Sequence, residues 1–84
     1  MFKYLVLAMR TPRFQQSVIN PHIAFLDSLR KQGKLEMSGP FTDKTGGAYL
    51  IKAANIEDAN AIAFTDPLHT TKSSIVSVCE WSME

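Results

Sequence analysis

Residues 2–9 are apolar on both faces of an alternating pattern, which predicts a strand in the middle of a sheet. One face carries Phe2, Tyr4, Val6 and Ala8, and the other carries Leu5, Leu7 and Met9. A strand of this kind is usually covered on both sides. Helices of this chain would cover one face of the sheet, and a second layer must cover the opposite face.

After the first strand, we expect a short helical turn within residues 11–18, and a longer helical pattern follows it. The apolar positions are Ile19, His22 with Ile23, Leu26 and Leu29, the spacing of a helix that packs on a sheet. We expect the helix to run from Asn20 to about Gln32, with Asn20 as its N-cap, Pro21 in its first turn and Gly33 after its end. His22 would then lie in the first turn, at the edge of the buried face.

The rest of the chain predicts three strands and one more helix. The strands are expected at residues 34–38, 47–53 and 73–81, with a loop at 39–46. Asn55 is a suitable N-cap for the second helix, whose apolar face holds Ile56, Ala59 and Ala63. Pro67 disfavours helix at the residue before it, so this helix should end near Thr65 and Asp66, followed by a turn at 67–71.

The resulting order, βαββαβ, predicts a ferredoxin-like α+β fold: a four-stranded antiparallel sheet with both helices on one face. Tracing the chain direction brings the residues with chemical potential to one end of the sheet. They are His22, Ser38, Asp43, Asp66 and His69. The other face of the sheet has no helix, although its first strand is apolar there too. We therefore expect two copies to pack sheet to sheet as a homodimer.

Length and composition fit one small domain over residues 1–84. The formal net charge is +1 with no basic cluster, and Tyr49 is the only aromatic residue of the third strand. These features argue against nucleic-acid binding. The single cysteine, Cys79, excludes an internal disulfide, and the apolar N-terminal run is too short to span a bilayer. Without a signal-peptide pattern, we expect a cytoplasmic protein that does not bind membranes.

Several short motifs, in this order and spacing, resemble the YciI-like (YCII-related) family of small dimeric α+β proteins. They are Pro21-His22 at the start of the first helix, Leu26-x-x-Leu29 followed by Gly33-Lys34-Leu35, Ser38-Gly39-Pro40, and Asp66-Pro67. The resemblance covers nearly the whole chain. It implies a dimeric α+β barrel packed through its sheets, and a pocket with a His–Asp dyad proposed as an active site.

Carried over residue by residue, the resemblance makes His22 and Asp66 the dyad, and Gly39-Pro40 a wall of the pocket. It also implies activity of the lyase or dehalogenase type on small aromatic compounds, as in a few relatives. The segment Leu68-His69-Thr70-Thr71-Lys72 departs from the small-residue turn expected after Asp66-Pro67. The rim of the pocket is therefore not defined by the resemblance.

Each candidate also has a structural interpretation. His22 fits a core-edge histidine as well as a general acid or base, and Asp66 fits an Asx-type turn as well as a carboxylate that orients His22. His69 fits an exposed turn residue, a second pocket base or a metal ligand, but no compact metal motif accompanies it. Arg10 fits surface charge or the partner of an anionic substrate.

Two functions follow from these residues. In the first, His22 oriented by Asp66 carries out acid–base chemistry, without cofactor or metal, on a small organic molecule. The reaction would be an elimination or isomerisation. Ser38, Gly39, Pro40, His69 and Arg10 would then bind the ligand. In the second, the chain forms a non-catalytic homodimer with a metabolite-binding or regulatory role. The fold order alone does not separate the two.

Overall fold

The computed structural model describes residues 2–82. Its four strands are β1 (Phe2–Arg10), β2 (Leu35–Pro40), β3 (Gly46–Ala53) and β4 (Ser74–Glu80). Its three α-helices are α1 (Ile19–Lys31), α2 (Ile56–Ala63) and α3 (Pro67–Thr70), and a 3₁₀ turn at Gln16–Val18 leads into α1. The predicted βαββαβ order is confirmed, with α3 as an added short helix.

The strands form one antiparallel sheet in the order β2-β3-β1-β4. Its core face follows the predicted alternation, because the buried residues of β1 are Tyr4, Val6 and Ala8. Leu26 and Leu29 of α1, together with Ala59 and Ala63 of α2, pack against this face in a single cluster. The sheet therefore buries one face under its helices, as the ferredoxin-like fold requires.

The opposite face, here called the open face, is also largely apolar. Register places Leu5, Leu7 and Met9 of β1 there, beside Leu50 of β3 and Ile75 of β4. Leu50 is buried by its neighbours, whereas Ile75 is 69% exposed. Within residues 2–82, no helix or loop covers this face in the way that the α-helices cover the core face.

The predicted start of α1 is wrong by one residue, and Asn20 is not its N-cap. The helix begins at Ile19, and the residue before it, Val18, makes no side-chain capping bond. The 3₁₀ turn runs directly into the helix, so the Ile19 amide donates to the Gln16 carbonyl. Backbone carbonyls thus accept hydrogen bonds from amides at the start of the helix, which a capping side chain would otherwise accept. Pro21 and His22 remain in the first turn, as predicted.

The end of β2 also differs from the prediction, because Gly39 and Pro40 belong to the strand and not to the loop. They pair with Ala48 and Gly47 of β3. Proline is tolerated here because β2 is an edge strand and pairs only with β3. Extending β2 in this way holds Ser38, Gly39 and Pro40 against the sheet end where α1 begins.

The second helix and the segment after it depend on two side-chain caps. Asn55 caps α2 as predicted, its Oδ1 accepting from the Asp58 amide at 2.8 Å. The expected turn at 67–71 is instead the short helix α3, with Pro67 as its first residue. Asp66 caps α3, because its Oδ1 accepts the Leu68 amide at 2.9 Å. This hydrogen bond ties the Asp66 carboxylate to the backbone of the first turn of α3 and so holds the carboxylate in place.

Candidate active site

A cavity of about 430 Å³ opens at the end of the sheet where β1 finishes and α1 begins. This size lies within the range of about 300–1,000 Å³ typical of small-molecule sites. Most of its lining is apolar. The lining comes from β1, the start of α1, the paired ends of β2 and β3, α3, the first residue of β4, and Phe14 in the segment between β1 and α1. The polar side chains of the lining belong to Arg10, His22, Ser38, Tyr49 and Ser74.

His22 and Asp66 meet beside this cavity. The Nδ1 of His22 lies 2.9 Å from Oδ1 of Asp66, although the two residues are 44 positions apart in the chain. The His22 side chain is 17% exposed, and Asp66 is fully buried. The first turn of α1 presents the imidazole, and the junction of α2 and α3 presents the carboxylate.

Asp66 accepts a third hydrogen bond from a residue that sequence reasoning did not assign to the site. The Tyr49 hydroxyl donates to Oδ2 of Asp66 at 2.9 Å, while Oδ1 receives His22 and the Leu68 amide. Burial, with the adjacent Asp66 charge as a second cause, raises the pKa of the Tyr49 phenol well above its usual value. Tyr49 therefore stays protonated and serves as a donor.

This arrangement determines which nitrogen of His22 is free. Because the Asp66 carboxylate already accepts from the Tyr49 hydroxyl and the Leu68 amide, we assign the hydrogen of the third contact to Nδ1 of His22. In the neutral imidazole, Nε2 then keeps its lone pair. Because Asp66 and the ring of Tyr49, whose centroid lies 6.0 Å from that of His22, restrain the imidazole, its orientation is largely set.

The residues predicted to bind ligand divide into two groups. Arg10, Ser38, Gly39 and Pro40 all line the cavity. His69 does not: it is exposed, and its ring packs on Phe64 with the centroids 4.6 Å apart. The helical geometry of α3 directs Leu68 toward the cavity and leaves His69 on the outside, so we assign His69 no role in the site.

Tyr49 and Gly46 are two positions of the site that the motifs did not indicate. Tyr49 alternates with Ile51 on the core face of β3, so its parity in the strand was the available signal. At Gly46 a Cβ atom would lie 2.2 Å from the Ala8 carbonyl oxygen. The close approach of β3 to β1 at the cavity floor therefore requires glycine at this position.

Among residues 2–82, no three histidine, cysteine, aspartate or glutamate side chains lie close enough together to hold a metal ion.

The helices of this part of the chain are all too short or too polar to cross a membrane.

Comparison with known proteins identifies the family. Residues 2–82 match the YCII-related domain, and the chain therefore belongs to this family, as the motifs predicted. The chain is 44% identical over 84 residues to the uncharacterised protein YjpA of Bacillus subtilis (strain 168), covering 100% of this chain and 99% of YjpA.

A solved structure shares the fold at low identity. It is 5-chloro-2-hydroxyhydroquinone dehydrochlorinase (TftG) from Burkholderia phenoliruptrix AC1100, in complex with 2,5-dihydroxybenzoquinone. The TM-score is 0.78 at 20% identity, covering 98% of this chain and 95% of that one. This likeness supports the ferredoxin-like architecture.

Proposed function

For this member of the YCII-related family, we propose a cofactor-independent enzyme that transfers protons on a small organic molecule. His22 is the general base or acid, and Asp66 is the carboxylate that orients it. The contact of 2.9 Å between Nδ1 of His22 and the buried Asp66 is the observation that carries the proposal. A core-edge histidine needs one hydrogen-bond partner, but that partner does not need to be a fully buried carboxylate beside a cavity.

The chemistry follows from the free nitrogen. Nε2 of the neutral His22 takes a proton from a bound molecule, and the buried Asp66 charge stabilises the imidazolium that forms. The same ring then returns the proton to another atom or to a leaving group. Eliminations and isomerisations need only this step, which a positioned histidine accelerates about 10²–10⁴-fold.

The remaining lining supports binding of a small, mostly apolar compound. Phe14, Ile19, Ile23, Leu26 and Leu68 supply apolar surface. The Ser38 hydroxyl is a donor on the opposite wall, next to Gly39 and Pro40 at the paired end of β2. We assign these three residues to substrate positioning.

The functional unit in this proposal is a homodimer packed through the open face. An uncovered apolar sheet face is costly for a monomer in water, and stable dimers bury such surfaces. Two open faces would bury the exposed side chains of Met9, Met37 and Ile75 against each other.

Activity is tested with a panel of compounds that hold an acidic C–H or O–H next to a leaving group or a ring. Halogenated hydroxyhydroquinones, the substrate type named for TftG, enolisable ketones and lactones form this panel. Turnover is followed by proton NMR in D₂O. We expect His22→Gln to lower kcat by about 10²–10⁴-fold, because the proton acceptor is lost.

His69→Gln is the matched control, because it removes the other histidine of the chain from outside the cavity. It should leave kcat unchanged. Equal turnover by His22→Gln and wild type would contradict the proposal. Tight binding of a panel compound that wild type never converts would favour the regulatory homodimer instead.

A further inference from the structure

Arg10 lines the cavity, but the proposed proton transfer gives it no role. It is the last residue of β1, on the same side of the sheet as Ala8, and it lines the cavity together with its cross-strand partner Ser74. Within residues 2–82, no aspartate or glutamate forms a salt bridge with it. Arg10 is partly buried, and its guanidinium, which has no carboxylate partner within residues 2–82, is available for an anion from outside the chain.

The guanidinium of Arg10 packs on an aromatic ring. Its Cζ lies 4.0 Å from the centroid of the Phe14 ring, and Phe14 lines the cavity as well. A cation–π contact uses the face of the guanidinium and leaves its edge, where the N–H donors lie, free to bind. That edge matches the two oxygens of a carboxylate or the single oxygen of a phenolate or enolate.

The charges around the cavity favour an anion there. No aspartate or glutamate of the described chain contributes to the lining. The nearby carboxylate of Asp66 is fully buried and already accepts from His22, Tyr49 and Leu68. Among residues 2–82, Arg10 is therefore the one permanently charged side chain that lines the cavity.

We propose that Arg10 is the anion-binding residue of the cavity, and that its ligand is a small apolar molecule with one anionic oxygen group, a carboxylate, phenolate or enolate. This inference rests on the proposed function in one respect only, which is the choice of the end of the molecule that reacts. The anionic group would anchor on Arg10, and the apolar body would lie against α1 and α3, within reach of the ring of His22.

Binding of benzoate and of its neutral isostere benzamide tests this inference. The two probes are titrated into ¹⁵N-labelled protein, and the amide shifts of Gly46, Ala48 and Leu68 at the cavity report on binding. We expect benzoate to bind wild type about tenfold or more tightly than benzamide, because it gains a charge-assisted bidentate contact. Arg10→Met should remove this preference, and Phe14→Leu should reduce it.

Arg13→Met is the matched control, because it deletes the same charge from an exposed position three residues away that does not line the cavity. It should retain the preference for benzoate. The inference is overturned if wild type binds both probes equally, if neither binds up to about 10 mM, or if Arg10→Met keeps the preference.

The result is separable from the test of proton transfer. His22→Gln retains Arg10 and should still prefer benzoate, whatever its effect on turnover. Loss of the benzoate preference in Arg10→Met combined with unchanged turnover in His22→Gln would refute the proposed function and support the anion site. A retained benzoate preference in Arg10→Met combined with reduced turnover in His22→Gln would support the proposed function and refute the anion site.

Discussion

At the scale of single residues, Asp66 combines the two roles that the sequence left as alternatives. It is a turn residue, because it caps α3 through the Leu68 amide, and it is also the partner of His22. Full burial of a carboxylate is costly unless donors surround it. Three donors do so here, which explains how a small domain tolerates this charge beside its cavity.

Tyr49 contributes to stability through the same network, and its contribution depends on pH. Tyr49→Phe leaves Oδ2 of Asp66 without its donor and should destabilise the fold by about 1–3 kcal/mol near neutral pH. The folded state raises the pKa of Tyr49 above its unfolded value of about 10. Above that pH the unfolded chain loses a proton that the native protein keeps, so this contribution decreases.

Urea unfolding at about pH 8 and about pH 11 measures this effect, since the two values bracket the titration of an unfolded tyrosine. The gap in stability between wild type and Tyr49→Phe should narrow at the higher pH. Tyr4, whose pKa is also raised by burial, is present in both proteins and affects them equally. A gap that stays constant or widens would contradict the assigned hydrogen bond.

At the scale of elements, the sequence predicted the four strands and the two longer helices, but neither the short helix α3 nor how the ends of the elements meet. Periodicity fixes the core face of β1 and the buried stripe of α1 because both patterns are local. The start of α1 was misplaced because the short helical turn before it is a 3₁₀ turn that runs directly into α1, so that the Ile19 amide donates to the Gln16 carbonyl and Asn20 is not needed as a cap. The end of β2 was missed because pairing with β3 overrides the loop preference of Gly39 and Pro40.

The candidate site shows the same division. The contact between His22 and Asp66 was predictable because family motifs mark both residues, and chain direction brings their elements together. Tyr49 was not, because its role depends on a contact across 17 residues between β3 and the end of α2. The location of His69 depended on whether residues 67–71 formed a turn or a helix. Because residues 67–70 form α3, His69 lies outside the cavity.

A bulge in β2 shows how an element can place charge on the sheet. The register shifts between Leu35 and Met37, so Glu36 is the extra residue. Its carboxylate lies 2.7 Å from Nζ of Lys3 and 3.5 Å from Nζ of Lys52, which face each other across β1 and β3. Lys3, by its hydrogen bond, lowers the pKa of Glu36. The bulge thus offsets a repulsive lysine pair.

At the scale of the whole molecule, the open face is the main unpaired surface. Its exposed apolar side chains come from three strands, with Met37 at 62% and Ile75 at 69% exposure. A stable dimer buries about 1,200–2,000 Å² in total. A four-stranded sheet face is the surface of this small domain that can supply such an area.

Sedimentation equilibrium at micromolar concentration tests the dimer. Wild type should have twice the chain mass of 9.4 kDa. Ile75→Glu should shift the equilibrium toward monomer, because it places a charge in an apolar interface. Phe64→Glu is the control, since Phe64 is an exposed apolar residue at the end of α2, away from the open face. A wild-type monomer whose mass does not change with concentration would refute the dimer.

The central claim is that the Asp66 carboxylate holds His22 with its hydrogen on Nδ1, which leaves Nε2 free to accept a proton. Two-bond ¹H–¹⁵N correlation spectra of the imidazole rings measure this tautomer directly. At a pH where both histidines are neutral, we predict the Nδ1–H form for His22 in wild type and its loss in Asp66→Asn, with exposed His69 averaging between tautomers in both. An Nε2–H tautomer at His22 in wild type would contradict the account.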